Sequence, residues 1–432
     1  MLEFARRRAF LAIAGLPLSA AALNAQTCPD AASLTRSLAE PLATVRYLAD
    51  DALEGRLAGS AGERCAGDFI AARLEALGYR GAGAGGSYFQ DVPVPAAGGN
   101  PHAAGPADGP TGRNVVALLE GADPAVRDEL IVIGAHYDHL GLGTGGSLAP
   151  GESAIHNGAD DNASGVAALL RVATLLSEGP RPARSVLFIA FTGEESGLLG
   201  SAFFARDPTV NLDRARAMLN MDMVGRLEDE PLIIYGVGTA AEWTGIVERE
   251  AGRAGIAVAL QPDGVGPSDH TSFYLRDIPV LHFFTNTHAD YHKPSDDWDL
   301  VDADGIERVA RLVTALTRQI SSPDVALTLQ RGAGRPAAAP SRGSGAWLGT
   351  VPDFTPVERG VLLGGVTAES PGAAAGMQKG DILIRIGSHD IADLQGFTDA
   401  LGAHKPGDEV EIIVLREGRE VRLRAVLGRR GG

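Results

Sequence analysis

Between residues 114 and 320, short apolar runs alternate with segments of helical period, and few architectures accommodate that alternation. The runs 114–119, 129–135, 186–191, 217–221, 232–235 and 280–284 read as strands. The segments 166–176, 198–205, 242–254 and 304–320 read as helices. A run such as 186–191, apolar without alternation, suits a strand covered on both faces. The pattern predicts an α/β domain, a mostly parallel mixed sheet flanked by helices. Ahead of it lie two helical patterns, 31–54 and 61–78, and a Gly/Pro/Ala-rich stretch, 81–112, that reads as loop.

Beyond residue 321 the composition changes. Residues 322–345 are rich in Gly, Pro, Ala and Ser without periodicity and read as a linker. Residues 346–428 carry shorter strand patterns at 361–366, 382–386, 409–415 and 420–426, a small β-rich second domain. A length of 432 residues fits two domains, and 45% apolar residues suffice for two cores. The net charge of −16 argues against nucleic acid as a partner, because phosphate binding needs clustered Lys and Arg. No segment is apolar for long enough to span a membrane, so no transmembrane segment is expected.

The N-terminus points to export. Arg6, Arg7 and Arg8 precede an apolar stretch, 9–23, and small residues follow to Ala25, the pattern of a signal peptide over 1–25. Arg7-Arg8-Ala9-Phe10-Leu11 resembles a twin-arginine signal, so the expected destination is the periplasm or the outside. Cys28 and Cys65 are the two cysteines, either unrelated thiols or a disulfide, and an oxidising compartment favours the disulfide. Without a CxxC or a Cys/His cluster, zinc bound through sulfur is excluded.

Five segments place acidic or imidazole side chains beside strand ends or Gly-rich turns. IVIGAHYDHLG carries His136, Tyr137, Asp138 and His139, and HNGADDNASG carries Asp160 and Asp161. LFIAFTGEESGLLGS carries Glu194 and Glu195, LNMDMVG carries Asp222, and DYHKPSDDWD carries His292. Each alone has an ordinary explanation: an Asp pair caps a helix, a Glu pair faces water, and a lone His packs in a core. Together, near the carboxyl ends of strands where open α/β sheets hold ligands, they suggest a metal site. Zinc takes His nitrogen and carboxylate oxygen. Two zincs need a shared carboxylate, and a further carboxylate must serve as base.

These blocks, in their order and approximate spacing over residues 40–320, resemble the M28 family of metallopeptidases. The resemblance implies a phosphorylase/hydrolase-like zinc peptidase fold over 30–321 with two Zn2+ per chain. It implies that Asp160 bridges both zincs, with His136 and Asp222 completing one and Glu195 and His292 the other. Glu194 becomes the general base, Asp138 the carboxylate that orients His136, and Tyr291 an oxyanion stabiliser. A cis peptide at Asp160–Asp161 is also implied. The activity implied is removal of N-terminal residues from peptides. A carboxypeptidase or dipeptidase, or a single-zinc glutaminyl-cyclase-like acyltransferase, belongs to the same superfamily; the intact ligand set weighs against a single zinc. A catalytically dead binding protein would lack a ligand or the base, and neither is missing. His139, His156, His270, His282 and His288 receive no ligand role. Ser268-Asp269-His270 is not read as a triad, since no GxSxG exists, and Asp269 is expected in a structural or pocket-wall role. The 81–112 loop is too short for an inserted protease-associated domain.

In the second domain, GAWLGTVPDF and SPGAAAGMQKGDILIRIG resemble a PDZ domain. Leu348, Gly349 and Thr350 stand where that family's carboxylate-binding loop lies. The resemblance implies a peptide or protein C-terminus added as a strand, beside the peptide substrate of the first domain. The alternative is a docking module with an empty groove.

Overall fold

The computed structural model describes residues 28–35, 38–94, 110–143, 146–149, 153–228, 230–331, 346–353, 357, 359–366, 370–391 and 394–429. The expected signal segment 1–25 lies outside them.

The helical pattern expected over 31–54 is broken into pieces. Helices α1 (Ala31–Thr35) and α2 (Leu42–Leu48) are short, and a 3-10 turn follows at Asp51–Arg56. Glu54, Gly55 and Arg56 all have positive φ, at 48°, 66° and 48°, so no helix can continue through them. Helix α3 (Ala61–Ala76) starts where the Ser60 hydroxyl accepts the Glu63 N–H at 3.1 Å. Cys65 of α3 is disulfide-bonded to Cys28.

A nine-stranded sheet follows. Its strands are β1 (Arg80–Gly81), β2 (Phe89–Pro93), β3 (Thr111–Leu119), β4 (Leu130–His136), β5 (Ser185–Phe191), β6 (Ala215–Met221), β7 (Leu232–Tyr235), β8 (Val258–Leu260) and β9 (Val280–Phe284). The order is β1-β3-β5-β4-β6-β9-β7-β8, with β2 also on β3. The central strands β5, β4, β6 and β9 are parallel, and antiparallel pairs lie outside them. The stretch expected as loop over 81–112 thus contains β2. Its Gln90 and Val92 are buried while Asp91 and Pro93 face out, a period-2 signal that the surrounding Gly and Ala hid.

Helices cover both faces. They are α4 (Gly165–Glu178), α5 (Leu199–Arg206), α6 (Trp243–Ala254), α7 (His270–Tyr274) and α8 (Ala303–Ile320). Ile131, Ile133 and Ala135 of β4 share one core with Val166 and Leu169 of α4 and Val309 and Val313 of α8. Val132 between them joins the other core, with Phe204 of α5 and Phe273 of α7. The alternation follows from successive side chains pointing to opposite faces. Register aligns the carboxyl ends: His136 pairs with Phe191, Gly134 with Asn220, and Met221 with Phe283. The loops leaving these strands therefore meet at one edge.

The expected linker from 322 is shorter than its composition suggests. The Gln330 N–H donates to Thr239 O at 2.8 Å, and Arg331 pairs with Asp277 at 2.7 Å. Residues 332–345 lie outside the described residues.

The second unit is antiparallel. Its elements are β10 (Ala346–Trp347), β11 (Thr350–Asp353), β12 (Val361–Val366), α9 (Pro371–Ala374), β13 (Ile382–Ile386), β14 (His389–Asp390), α10 (Leu394–Gly402), β15 (Glu409–Arg416), β16 (Arg419–Val426) and β17 (Gly428–Arg429). The main sheet runs β11-β12-β13-β15-β16, with β14 on β13, and β10 pairs with β17. It has its own core, including Leu348, Leu363, Leu383, Ile412 and Val414. No helix among the described residues is long and apolar enough to cross a membrane.

Candidate metal centre

His136 ends β4, and the Tyr137 N–H still donates to Phe191 O at 2.9 Å, so the imidazole leaves the sheet at a fixed point. Its Nε2 lies 3.3 Å from Asp161 Oδ1 and 3.3 Å from Asp222 Oδ1. The other Asp161 oxygen lies 3.1 Å from His292 Nε2, which is 3.3 Å from Glu195 Oε2. The remaining Glu195 oxygen meets His139 Nδ1 at 2.8 Å. Two donor groups result, His136–Asp161–Asp222 and His139–Asp161–Glu195, each with donor atoms within 4.8 Å of one another. His292 borders the second. Imidazole nitrogens and carboxylate oxygens are the donors zinc takes, and these residues could hold a pair of ions with Asp161 shared.

Further hydrogen bonds hold several of the donors in place. The Asp222 N–H donates to Phe283 O at 3.1 Å, extending the β6–β9 pairing by one residue. Asp222 Oδ2 accepts from the Ser268 hydroxyl at 2.7 Å. Asn162 joins two of the loops: its amide donates to Met221 O at 3.1 Å, and its Oδ1 accepts from Met223 N at 3.1 Å. The N–H groups of Asp160 and Asp161 both donate to the Asp296 carboxylate, at 3.0 and 3.1 Å. His292 Nδ1 lies 2.9 Å from Gly146 O, so that nitrogen donates there and Nε2 faces the acids. Asp138 accepts the Glu194 N–H at 3.1 Å and stands 3.7 Å from His136 Nδ1.

The expectation that Asp160 lies between the two groups is corrected. Asp160 Oδ1 accepts from Gly225 N at 2.7 Å, and its Oδ2 is 3.2 Å from His288 Nε2. The carboxylate between the histidines belongs to Asp161. Likewise the cis peptide is Asp161–Asn162, one residue later than expected. Asp161 and His139 belong to the segments singled out in the sequence but receive no ligand role there. Each stands in a run, DD or HYDH, where adjacency does not reveal direction.

The electrostatics separate the two glutamates. Burial pushes the Glu194 carboxyl well above its ordinary value, against the pull of His136, and Asp222, Glu195 and Asp269 add to the rise. Burial acts upward on Glu195 too, but His292 and His139 outweigh it and hold that carboxyl at about 2. Asp161 is likewise held well below the usual range, because hydrogen bonds from His136 and His292 overcome its burial. Burial raises Asp269 to about 7.

Residues 114–317 match Peptidase family M28, and residues 352–427 match the PDZ domain. The first domain belongs to peptidase family M28. Leupeptin-inactivating enzyme 1 of Streptomyces exfoliatus is 28% identical over 293 residues, covering 65% of this chain and 57% of that protein. Aminopeptidase YwaD of Bacillus subtilis (strain 168) is 26% identical over 215 residues, covering 48% of this chain and 44% of that protein. The chain thus spans about half the length of these curated relatives. A solved Zn-dependent exopeptidase from Parabacteroides distasonis ATCC 8503 superposes with a TM-score of 0.52 at 20% identity, covering 68% of this chain and 99% of that one. That likeness establishes the shared fold.

Around the M28 centre the remaining candidates have other partners. Tyr291 stacks on His292, ring centroids 3.9 Å apart. His288 serves Asp160, and His270 and His282 stack on each other at 4.4 Å. Ser268 contacts Asp222 rather than a triad histidine. In the PDZ domain, Leu348 is buried in the core and its carbonyl accepts the Gly372 N–H at 2.7 Å. Gly349 has φ 76°, and a Cβ there would stand 2.1 Å from Ser370 Cβ, so glycine is required. Thr350 begins β11.

Proposed function

We propose that the M28 domain is a two-zinc aminopeptidase, with Asp161 rather than Asp160 as the shared ligand. The observation that carries this reading is the Asp161 carboxylate, with one oxygen facing His136 and the other facing His292. His136, Asp161 and Asp222 would hold one ion, and Asp161, Glu195 and His292 the other. Bound zinc supplies Lewis acidity toward a peptide carbonyl and lowers the pKa of bound water.

The chain's own residues do the rest. Glu194 Oε2 lies 4.0 Å from His136 Nε2, while Glu195 is engaged by His292 and His139. Glu194 is therefore the carboxylate left to take the proton of the attacking water and return it to the departing amine. Asp138 fixes base and ligand together, through the Glu194 N–H and the His136 ring. The Tyr291 hydroxyl donates to the carbonyl oxygen as charge develops on it.

Removal of N-terminal residues is supported by the relative named an aminopeptidase. Export is supported by the pattern over 1–25 and by the Cys28–Cys65 disulfide, since such bonds persist in oxidising compartments. The PDZ domain, with Leu348, Gly349 and Thr350 in its loop, takes a peptide or protein C-terminus. The test compares chromogenic aminoacyl substrates with their N-blocked counterparts, on zinc-loaded and metal-stripped protein. Turnover of the free-amine substrates alone, lost on stripping and restored by zinc, is expected. Equal cleavage of blocked substrates would remove the aminopeptidase reading, and full turnover after stripping would remove the metal.

A further inference from the structure

Arg56 is fully buried and, among the described residues, has no carboxylate in hydrogen-bond contact. Its donors go to backbone carbonyls. Nε donates to Tyr137 O at 2.8 Å, Nη1 to Asn157 O at 2.6 Å and to Leu48 O, and Nη2 to Gly158 O at 3.0 Å. Tyr137 lies between His136 and Asp138, and Asn157 and Gly158 lead directly into Asp160 and Asp161. One planar group thus joins the segment that carries His136 to the segment that carries Asp161. The backbone of Arg56 joins in: its carbonyl accepts the His139 N–H at 3.2 Å, and Gly55 O accepts the Gly141 N–H at 3.0 Å.

We infer that Arg56 is a positioning residue of the metal centre: its guanidinium sets the spacing of the loops bearing His136, His139 and Asp161, and its charge offsets their carboxylates. The inference rests on the two-zinc reading. A buried cation is costly unless opposite charge is near. Here the compensation comes from the surrounding acids: burial lowers the Arg56 pKa to about 10, and Asp138, Asp161, Asp296 and Glu195 pull it upward. Arg56 therefore stays charged at neutral pH. Lysine could supply the charge but not the planar fork that reaches carbonyls in separate segments.

The experiment measures zinc stoichiometry and affinity by competition with a chromogenic chelator, and thermal unfolding with and without zinc. It uses wild type, Arg56→Lys, Arg56→Met and the control Arg184→Lys. Arg184 is a second buried arginine that donates to backbone carbonyls, those of Ile320 and Ser322, remote from the centre. Outer contacts of metal ligands typically contribute about 10–100-fold to metal affinity. Arg56→Lys is expected to fold and bind zinc about 10–100-fold more weakly, and Arg184→Lys to lose thermal stability while binding zinc as wild type does. Arg56 variants that unfold without zinc and fold in saturating zinc would also support the role. Folded Arg56 variants with wild-type zinc affinity would overturn it. So would variants unfolded even in saturating zinc, which would make Arg56 a residue of the fold alone. A wild-type protein that binds no zinc would instead overturn the two-zinc reading, and the inference with it.

Discussion

Asp160 and Asp161 follow one another in the chain, yet among the described residues their carboxylates share no partner: Asp160 meets Gly225 and His288, and Asp161 meets His136 and His292. Substituting each in turn should separate site from scaffold. Asp161→Asn is expected to lose zinc, since an amide cannot bridge two cations as a carboxylate does. Asp160→Asn is expected to keep both zincs and lose roughly 1–3 kcal/mol of stability, the usual cost of disturbing a buried polar contact. Metal analysis beside denaturant unfolding checks both. Zinc retained by the first variant and lost by the second would return the bridge to Asp160.

Glu194 and Glu195 divide in the same manner. Glu194→Gln should keep zinc and lose turnover by about 10²–10⁴, the range general-base catalysis supplies. Glu195→Gln should lose zinc as well as rate, because its carboxylate is the one facing His292 and His139. If the Glu194 variant lost metal and the Glu195 variant kept it, the two roles would be exchanged.

Away from the centre, Glu129 gives a pH dependence of defined sign. Arg216 and Arg184, each with a nitrogen 2.6 Å from its carboxylate, hold the Glu129 pKa at about 2 against its partial burial. An unfolded glutamate titrates near 4.3, roughly the model-peptide value. The folded value is the lower one, so the stabilisation is full above the unfolded pKa and is lost as pH falls through the folded pKa. Glu129→Gln is expected to lower the urea midpoint at neutral pH, and the gap from wild type should close between about pH 4 and about pH 2. A gap that persists unchanged at the acid end would show that packing, not charge, is responsible.

The fold was legible because its central strands are apolar runs and its helices carry a strong period. What composition concealed was β2, where Gly and Ala surround a short alternating run, and the course of residues 322–331, where the linker-like stretch opens with a segment that returns to Thr239 and Asp277. At the centre, residue types and strand ends were readable, but direction was not. Which of two adjacent aspartates faces the histidines depends on the Asp296 and Asn162 contacts, which come from distant segments. Arg56 gave no signal at all, since a lone arginine in a polar stretch reads as surface.

The Cys28–Cys65 bond ties the segment before α1 to the N-terminal part of α3, across a sequence separation of 37 residues. In the chain-entropy model, closing such a loop contributes about 3–4 kcal/mol. Cys28→Ser should lower the denaturant midpoint accordingly, and reducing the wild type should bring it to the same value. Cys28 is exposed, so little packing is lost with its sulfur. Equal midpoints for oxidised and reduced protein would show that the link carries no stability.

The donors of the centre are spread from residue 136 to residue 292, on the segments that end or follow β4, β5, β6 and β9. A chain still emerging from the ribosome holds His136 and Asp161 long before it holds His292. On the two-zinc reading, complete loading waits for the turn after β9, when the long-range pairing of β4, β6 and β9 is already in place. Zinc capture then reports finished folding, and free zinc adds stability to the folded chain alone in proportion to the logarithm of its concentration. A cell short of zinc would hold a population that is folded less firmly as well as inactive.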